Sequence, residues 1–467
     1  MNPPAASAAR SLAWLPYAAL ALTSLLIVGG MLYYAPYGLD FTDESFYLNW
    51  LKHPHGYAYS VTQFGFIYHP LYELLSGDIA TLRRINILLT FGLAWWLSSA
   101  VLRDSVAAAQ ADALWRPVQM LAVSAALATC VLAAFSTNHR IPNYNLLTLQ
   151  ALMLTTCGVL LAQRPTRSAL VSGFIIGLGG TLCFVAKPTS ALALCPLVLL
   201  WLAIRPRRNL PVLAVSALGA TTSLASWRSS STVRPSPSWA GCRAHNAMRS
   251  SFGEAMTGRA FSGSTHSRFT PTSCLGCTSA AQLLAATLLG MYATTPYRQP
   301  QPLWTNTEEA TIGVPAAAVK VSADIGRYLR DVSDTAKKGE FQPGTAVIDM
   351  SGQSPIVPYT LGGKPGGAAW LIGGYPRSLS FAANTLRLES CEDLASAWLL
   401  REPGGPRSLA DSLLDDLGLG QPDSDFDLVG EFDTPPGGGG YADPRRQQLF
   451  KPRAPQLAME NCLRKRA

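Results

Sequence analysis

The chain is predicted to be an all-α polytopic membrane domain followed by a C-terminal soluble α/β or α+β domain. Three observations predict this. Between Leu12 and Ser226 the apolar residues fall into blocks nearly free of charge, while Asp40, Asp43, Glu44, Arg103 and Arg116 lie between the blocks. A helix needs ~20 apolar residues to cross a ~30 Å hydrocarbon layer with its backbone satisfied internally, and Leu12–Tyr34 meets that length in one run. From about Thr305 the pattern changes to alternating strand-like and helix-like segments, as in a small folded domain.

About seven spans are expected in residues 1–226, at 12–34, 85–102, 117–135, 145–162, 169–186, 190–204 and 210–226. The apolar core of the first exceeds the ~7–15 residues of a signal peptide, and no small-residue cleavage site follows Gly29–Tyr34, so it reads as an uncleaved anchor. Arg10, Arg103, Arg116, Arg164, Arg167, Arg205, Arg207 and Arg208 occupy alternate connections. The positive-inside rule makes those cytoplasmic, together with the N-terminus. Segments 35–84 and 136–144 and the turn Lys187-Pro188-Thr189 are then external, and 35–84 is the longest. The formal charge of +8 is accounted for by cations retained on the inner side, and no nucleic-acid partner is expected.

Residues 227–278 break the pattern. They are dense in Ser and Arg, lack Ile, Lys, Asp and Tyr, and hold almost no Leu or Val. One reading is a disordered segment, too poor in apolar side chains to fold. The other, motivated by the abrupt change at both ends, is translation from a shifted frame that replaces spans. The apolar run within 279–292 is short for a crossing, and with seven spans before it an interfacial or incomplete helix is expected.

In the soluble domain, 305–467, Ala316–Lys337 is predicted as an amphipathic helix and Thr345–Met350 as a buried strand. Leu386–Leu400 and Ser408–Leu417 are predicted helical, and Asp427–Phe432 as a strand. Pro435-Pro436 with Gly437–Gly440 marks a break before a basic tail. The nine cysteines give no disulfide framework. Cys130, Cys157, Cys183 and Cys195 lie in apolar blocks, and Cys274 with Cys277 is a lone pair without the second pair a zinc site needs.

Chemistry is sought in the first external loop, Gly38-Leu39-Asp40-Phe41-Thr42-Asp43-Glu44-Ser45-Phe46-Tyr47. Adjacent carboxylates just outside a span can deprotonate a hydroxyl or hold a divalent cation, here at Asp43 and Glu44, against a phosphate. An ordinary solvated acidic loop has the same composition. His139 and Arg140 in Asn138–Asn145 can meet phosphate, and Tyr144 and Asn145 sugar; the plainer alternative is a polar turn with an interfacial tyrosine. Lys187 can pair with a leaving phosphate or simply snorkel to the interface.

The first span, the external Asp43-Glu44 with Tyr47 three residues on, and the later His69-Pro70-Leu71 together resemble the GT-C superfamily of membrane glycosyltransferases. The nearest likeness is to protein O-mannosyltransferases and the lipid A aminoarabinose transferase. One proline of the family's His-Pro-Pro-Leu-type element is missing here. The resemblance covers roughly residues 10–210. It implies a bacterial inner-membrane enzyme that takes a sugar from a polyprenyl-phosphate lipid to an acceptor hydroxyl at the outer face. It makes Asp43 the catalytic base with Glu44 beside it, and Lys187 the partner of the donor phosphate. Asp40 is a reserve candidate. Ser351–Pro355 with Ala369–Pro376 is similar to the external domain of bacterial members of this group. The rival readings are a transporter or flippase-like protein, which would carry ionisable groups inside its spans, and a non-catalytic membrane component.

Overall fold

The computed structural model describes residues 14–57, 60–110, 115–163, 169–204, 206–230 and 271–467. Arg10, Arg164, Arg167 and Arg205, on which part of the orientation argument stands, lie outside the described residues, as does most of the anomalous 227–278 segment.

The first half is helical: α1 Leu15–Tyr33, α2 Asp43–Lys52, α3 Phe64–Leu74, α4 Ile79–Ala108, α5 Pro117–Ala128 with a 3-10 continuation Thr129–Ser136, α6 Tyr144–Ala162, α7 Ala169–Ala186, α8 Pro188–Ile204, α9 Pro206–Ser230 and α10 Pro271–Thr294. Their starts follow from local chemistry. Asp78 caps α4 by accepting from the Ala80 and Thr81 amides, and Asn143 caps α6 by accepting from those of Asn145 and Leu146. Six of these segments are long and apolar enough to cross a bilayer: Leu15–Tyr33, Ile79–Ala108, Pro117–Ser136, Tyr144–Ala162, Ala169–Ala186 and Cys274–Thr294. Five are spans expected from the sequence. The expected sixth and seventh contain only shorter apolar helices, Pro188–Val198 and Asn209–Thr222.

The run at 279–292 is corrected to a full-length helix. Its first turns are small and hydroxylic, which hides them in a hydropathy reading. The helix satisfies them internally, with Thr278 Oγ1 donating to the Cys274 and Leu275 carbonyls at 2.9 and 3.0 Å. It runs parallel to α1: Gln282 Nε2 donates to Leu20 O and Ser24 Oγ, both at 2.9 Å, and nearer the far end Tyr292 sits under Arg140, which bonds Tyr34 O. α10 therefore delivers the chain to the end of the bundle that carries segment 35–84. α7 and α9 are also parallel and approach closely because Gly177 leaves room. A Cβ there would stand 2.4 Å from Ser216 O.

The C-terminal region contains two sheets. β1 Glu308–Ile312 and β2 Ala317–Val321 form an antiparallel hairpin. The second sheet has the order β4-β3-β5-β7-β6, from β3 Ala346–Asp349, β4 Lys364–Pro365, β5 Trp398–Arg401, β6 Phe426–Asp433 and β7 Arg446–Pro452. β3 is parallel to β4 and β5, and β7 is antiparallel to β5 and β6. Helices α11 Ala323–Lys338, α12 Ile356–Thr360, α13 Ser378–Leu386, α14 Cys391–Ala395, α15 Ser412–Leu417, α16 Pro422–Asp425 and α17 Pro455–Arg466 complete it. The strands expected at 345–350 and 427–432 are present.

Two helix expectations are corrected. Ala316–Lys337 is a strand followed by a helix. Residues 317–321 alternate buried and exposed, and Ser322 then caps α11 through the Ile325 amide. Leu386–Leu400 ends in β5, whose first three residues are wholly buried, and an apolar run of that length reads alike for buried strand and helix. The expected Ser408–Leu417 helix shortens to Ser412–Leu417.

The cysteine reading is corrected at one pair. Cys391 and Cys462 are bonded across 71 residues and tie α17 to α14. By loop-closure entropy such a bridge contributes ~4 kcal/mol. Cys391→Ser is expected to cost the domain about 2–5 kcal/mol, seen as an earlier unfolding transition on heating that dithiothreitol produces equally in the native chain.

The sheet-bearing region packs on segment 35–84. Gly38 N donates to Lys320 O and Lys320 N to Pro36 O, Asn49 Nδ2 bonds Pro355 O at 2.7 Å, and the Tyr72 and Tyr359 hydroxyls meet at 3.1 Å. One apolar cluster runs from Leu39, Phe41 and Leu48 into Ile312, Tyr328 and Val357.

Candidate functional site

Where the chain leaves α1 it turns into α2, and the first turn of α2 is built by Asp40. Its carboxylate accepts from Thr42 Oγ1 at 2.8 Å, from the Asp43 amide at 2.9 Å and from the Glu44 amide at 3.4 Å, while Glu44 returns a bond to the Asp40 amide. This reciprocal cap satisfies helix-start donors and points the following carboxylates in set directions. Asp40 is fully buried. Burial raises its pKa, opposed by the facing His139.

Glu44 turns inward. It is 3 % exposed and is held by Arg83, whose Nε and Nη2 both lie 2.8 Å from Oε1. The same guanidinium donates to the Ala35 and Gly38 carbonyls, so it pins the exit of α1 to the start of α2. Burial pushes the Glu44 pKa up, but the charges of Arg83, His139 and Arg140 and the Arg83 hydrogen bond together outweigh it, and the net shift is downward.

Asp43 faces the other way, with its side chain 22 % exposed. Arg298 Nη1 stands 3.2 Å from Asp43 Oδ2 and 2.8 Å from Thr42 Oγ1, and His139 Nε2 stands 3.8 Å from Asp43 and 3.5 Å from Asp40. Partial burial pushes the Asp43 pKa up, but His139 and Arg298 outweigh it, and the net shift is downward. His139 is itself buried, which works against its charged form. The surrounding Asp43, Asp40 and Glu44 carboxylates win, and its pKa is raised. Asp43 is thus an ionised carboxylate with one open edge and two cationic neighbours.

Arg140 follows His139 and is buried against the Tyr34 and Tyr37 carbonyls and the Tyr292 ring. It forms the polar end of an apolar groove of about 380 Å³ between α1, the 3-10 turn and α10, lined among others by Leu26, Gly30, Phe135, Leu289 and Gly290. Tyr47 places its ring 6.0 Å from those of His139 and Tyr144. Asn145 lies at the start of α6 beside its cap.

Two expected site residues stand apart. Lys187 is exposed in the turn between α7 and α8, at this end of the bundle because Gln63 N bonds Val185 O, and none of the ion pairs among the described residues joins it to Asp43. His69 on α3 has Nδ1 2.7 Å from Leu51 O and belongs to the opposite end of α2. Arg83, Arg298 and Tyr297, whose ring lies 5.3 Å from that of His139, were not legible as site residues. Arg83 borders the second span and reads as a flanking cation, and the Tyr297-Arg298 pair has no motif around it.

The sequence points to a divalent cation at Asp43 and Glu44, and that pair does not form, because Glu44 is committed to Arg83. Side-chain atoms of Asp40, Asp43 and His139 lie within 4.8 Å of one another. Asp40, however, has both oxygens engaged by Thr42 and the helix amides, and His139 and Arg298 already balance the carboxylate charge. These residues do not fit a resident metal ion.

Among the described residues, six long apolar helices in the first part of the chain and a sheet-bearing region after them make this a protein of the polytopic membrane class. No family model, curated protein or solved structure matches the chain.

Proposed function

We propose that the protein is a GT-C-like membrane glycosyltransferase that moves a sugar from a polyprenyl-phosphate lipid to an acceptor hydroxyl at the outer face of a bacterial inner membrane. The observation that carries the reading is the placement of Asp43. It is the one carboxylate of this turn with an open edge, and His139, 3.8 Å from it, precedes Arg140 at the polar end of the apolar groove. The disulfide in the domain packed over it supports an oxidising compartment, hence an external site and a cytoplasmic N-terminus.

The donor's polyprenyl chain lies in the groove between α1 and α10 and its phosphate meets cations at the outer end. Arg140 supplies positive potential there, and Lys187 is a second cation on the same side. Asp43 takes the proton from the acceptor hydroxyl as its oxygen bonds to the anomeric carbon. The bond from that carbon to the phosphate oxygen breaks, and the lipid phosphate leaves with the electron pair. A single base gives inversion. The transition state is oxocarbenium-like and the leaving group good, so the weak basicity of Asp43 suffices. Tyr47, Tyr144 and Asn145 border the space where sugar would stand.

The groove provides a test that spares the acidic turn. Gly290 has open space where a side chain would project. Gly290→Trp is expected to raise KM for the lipid donor at least tenfold with normal insertion and yield, measured with a labelled polyprenyl-phosphate sugar in proteoliposomes. An unchanged KM places the lipid elsewhere.

A further inference from the structure

Residues 435–440, a break in the sequence pattern, fold into a turn between β6 and β7 that sits against the acidic turn. Gly438 N donates to Pro435 O at 3.0 Å and Gly440 N to Gly437 O at 3.1 Å. Gly438 and Gly439 are buried. A Cβ at Gly438 would overlap the Phe41 ring, one at Gly439 would press on Thr42 Cγ2 at 3.1 Å, and one at Gly437 would stand 2.7 Å from Pro300 Cβ. Gly437, Gly439 and Gly440 also take positive φ, which glycine adopts readily. The turn therefore fits between Phe41-Thr42 and the linker that follows α10.

That linker carries Tyr297 and Arg298 to Asp43. The Tyr297 hydroxyl bonds the Asp43 carboxylate, and Arg298 Nη1 meets Asp43 Oδ2 at 3.2 Å and Thr42 Oγ1 at 2.8 Å. Arg298 has φ +52°, a backbone state that is costly for a residue with a side chain and persists only where the surroundings hold it. Gly440 runs along its stem: a Cβ there would touch Arg298 Cγ at 3.6 Å. The need for a cation here is electrostatic. Side-chain atoms of Asp40, Asp43 and His139 lie within 4.8 Å of one another, so two carboxylates share one imidazole. Like charges this close oppose each other's ionisation. Glu44 is taken by Arg83, and Tyr47 and Tyr297 are phenols that bring no charge. Arg298 is the further cation, and among the described residues Asp43 is its ion-pair partner.

We propose that Arg298 is a positioning residue that balances the Asp43 charge and fixes its direction beside Asp40, and that the Gly437–Gly440 turn holds Arg298 in place. The C-terminal region thereby completes the acidic turn. The value of this to catalysis rests on the transferase reading; the geometry does not.

The test is an infrared titration of the purified full chain in lipid nanodiscs, with the protonated-carboxyl band of Asp43 assigned by its loss in Asp43→Asn. In the native chain that band is expected only well below neutrality. Arg298→Gln should raise its midpoint by at least about one pH unit, tenfold in proton affinity. Arg298→Lys should return it most of the way, because a charge is restored on a stem of similar reach. Gly438→Val cannot seat on Phe41 and should raise the midpoint with Arg298 itself unchanged; Gly439→Ala, a smaller intrusion against Thr42, serves where Gly438→Val fails to fold. In transfer assays Arg298→Gln should gain the acid limb that the native chain lacks. Shifted midpoints in a chain without transfer activity would support the positioning role and sink the transferase reading. An unshifted midpoint in Arg298→Gln overturns the proposal, and unshifted midpoints in folded glycine variants overturn the part given to the turn.

Discussion

Asp43→Asn is expected to reduce sugar transfer by between about 10² and 10⁴-fold, the usual worth of a general base, with insertion and folding unchanged. Asn keeps the shape and the helix-start position but cannot take a proton. Arg298 and His139 lose their shared counter-charge, but Arg298 is partly exposed and the buried His139 keeps Asp40 at 3.5 Å, so the turn should persist. The pH profile of the native chain carries the same information. The Asp43 pKa is lowered, so the base is already ionised well below neutrality and no acid limb is expected near pH 5–7. The His139 pKa is raised, so its charge contributes fully below pH ~6.5 and is lost as pH rises through the higher folded value. An alkaline limb is therefore expected, and His139→Gln should remove it. Full transfer by Asp43→Asn would take Asp43 out of the mechanism.

The largest structural effect is expected at Arg83. It is 1 % exposed and is bonded at once to Glu44 and to the Ala35 and Gly38 carbonyls. Arg83→Met leaves the Glu44 carboxylate buried without its partner, a loss of about 3–5 kcal/mol for a broken buried pair. Segment 35–84 should loosen and become protease-sensitive at temperatures where the native chain resists. Removing both charges in Arg83→Met/Glu44→Leu should recover much of that loss, because no uncompensated ion remains. Strictly additive losses in thermal unfolding would show that the two side chains act independently.

The membrane-type architecture was legible because hydrophobic length is a property of sequence alone: Leu15–Tyr33 and Ala169–Ala186 are found where the apolar runs lie. The helix Cys274–Thr294 was not, since Thr278, Ser279 and Gln282 lower its hydropathy, and Thr278 bonds its own backbone. In the C-terminal region, β2 was absorbed into the following helix because five residues are too few to fix a period, and Cys391–Cys462 was missed because spacing says nothing of pairing. At the site, the adjacency of Asp40, Asp43 and Glu44 was plain, but their directions were not. Only the cap made by Asp40 sends Glu44 inward to Arg83 and Asp43 outward. Arg298 reaches Asp43 from 255 residues later in the chain, a contact no local pattern announces.

The central claim is that the open carboxylate of Asp43 performs chemistry on a lipid-linked sugar. Its most direct test uses purified chain reconstituted in vesicles with a polyprenyl-phosphate sugar labelled in the sugar. Glycosylation at the outer face predicts that label leaves the lipid, appears on an acceptor hydroxyl with inverted configuration, and does so only with Asp43 present. Label that stays on the lipid while the intact donor crosses the bilayer would contradict it and make the protein a flippase.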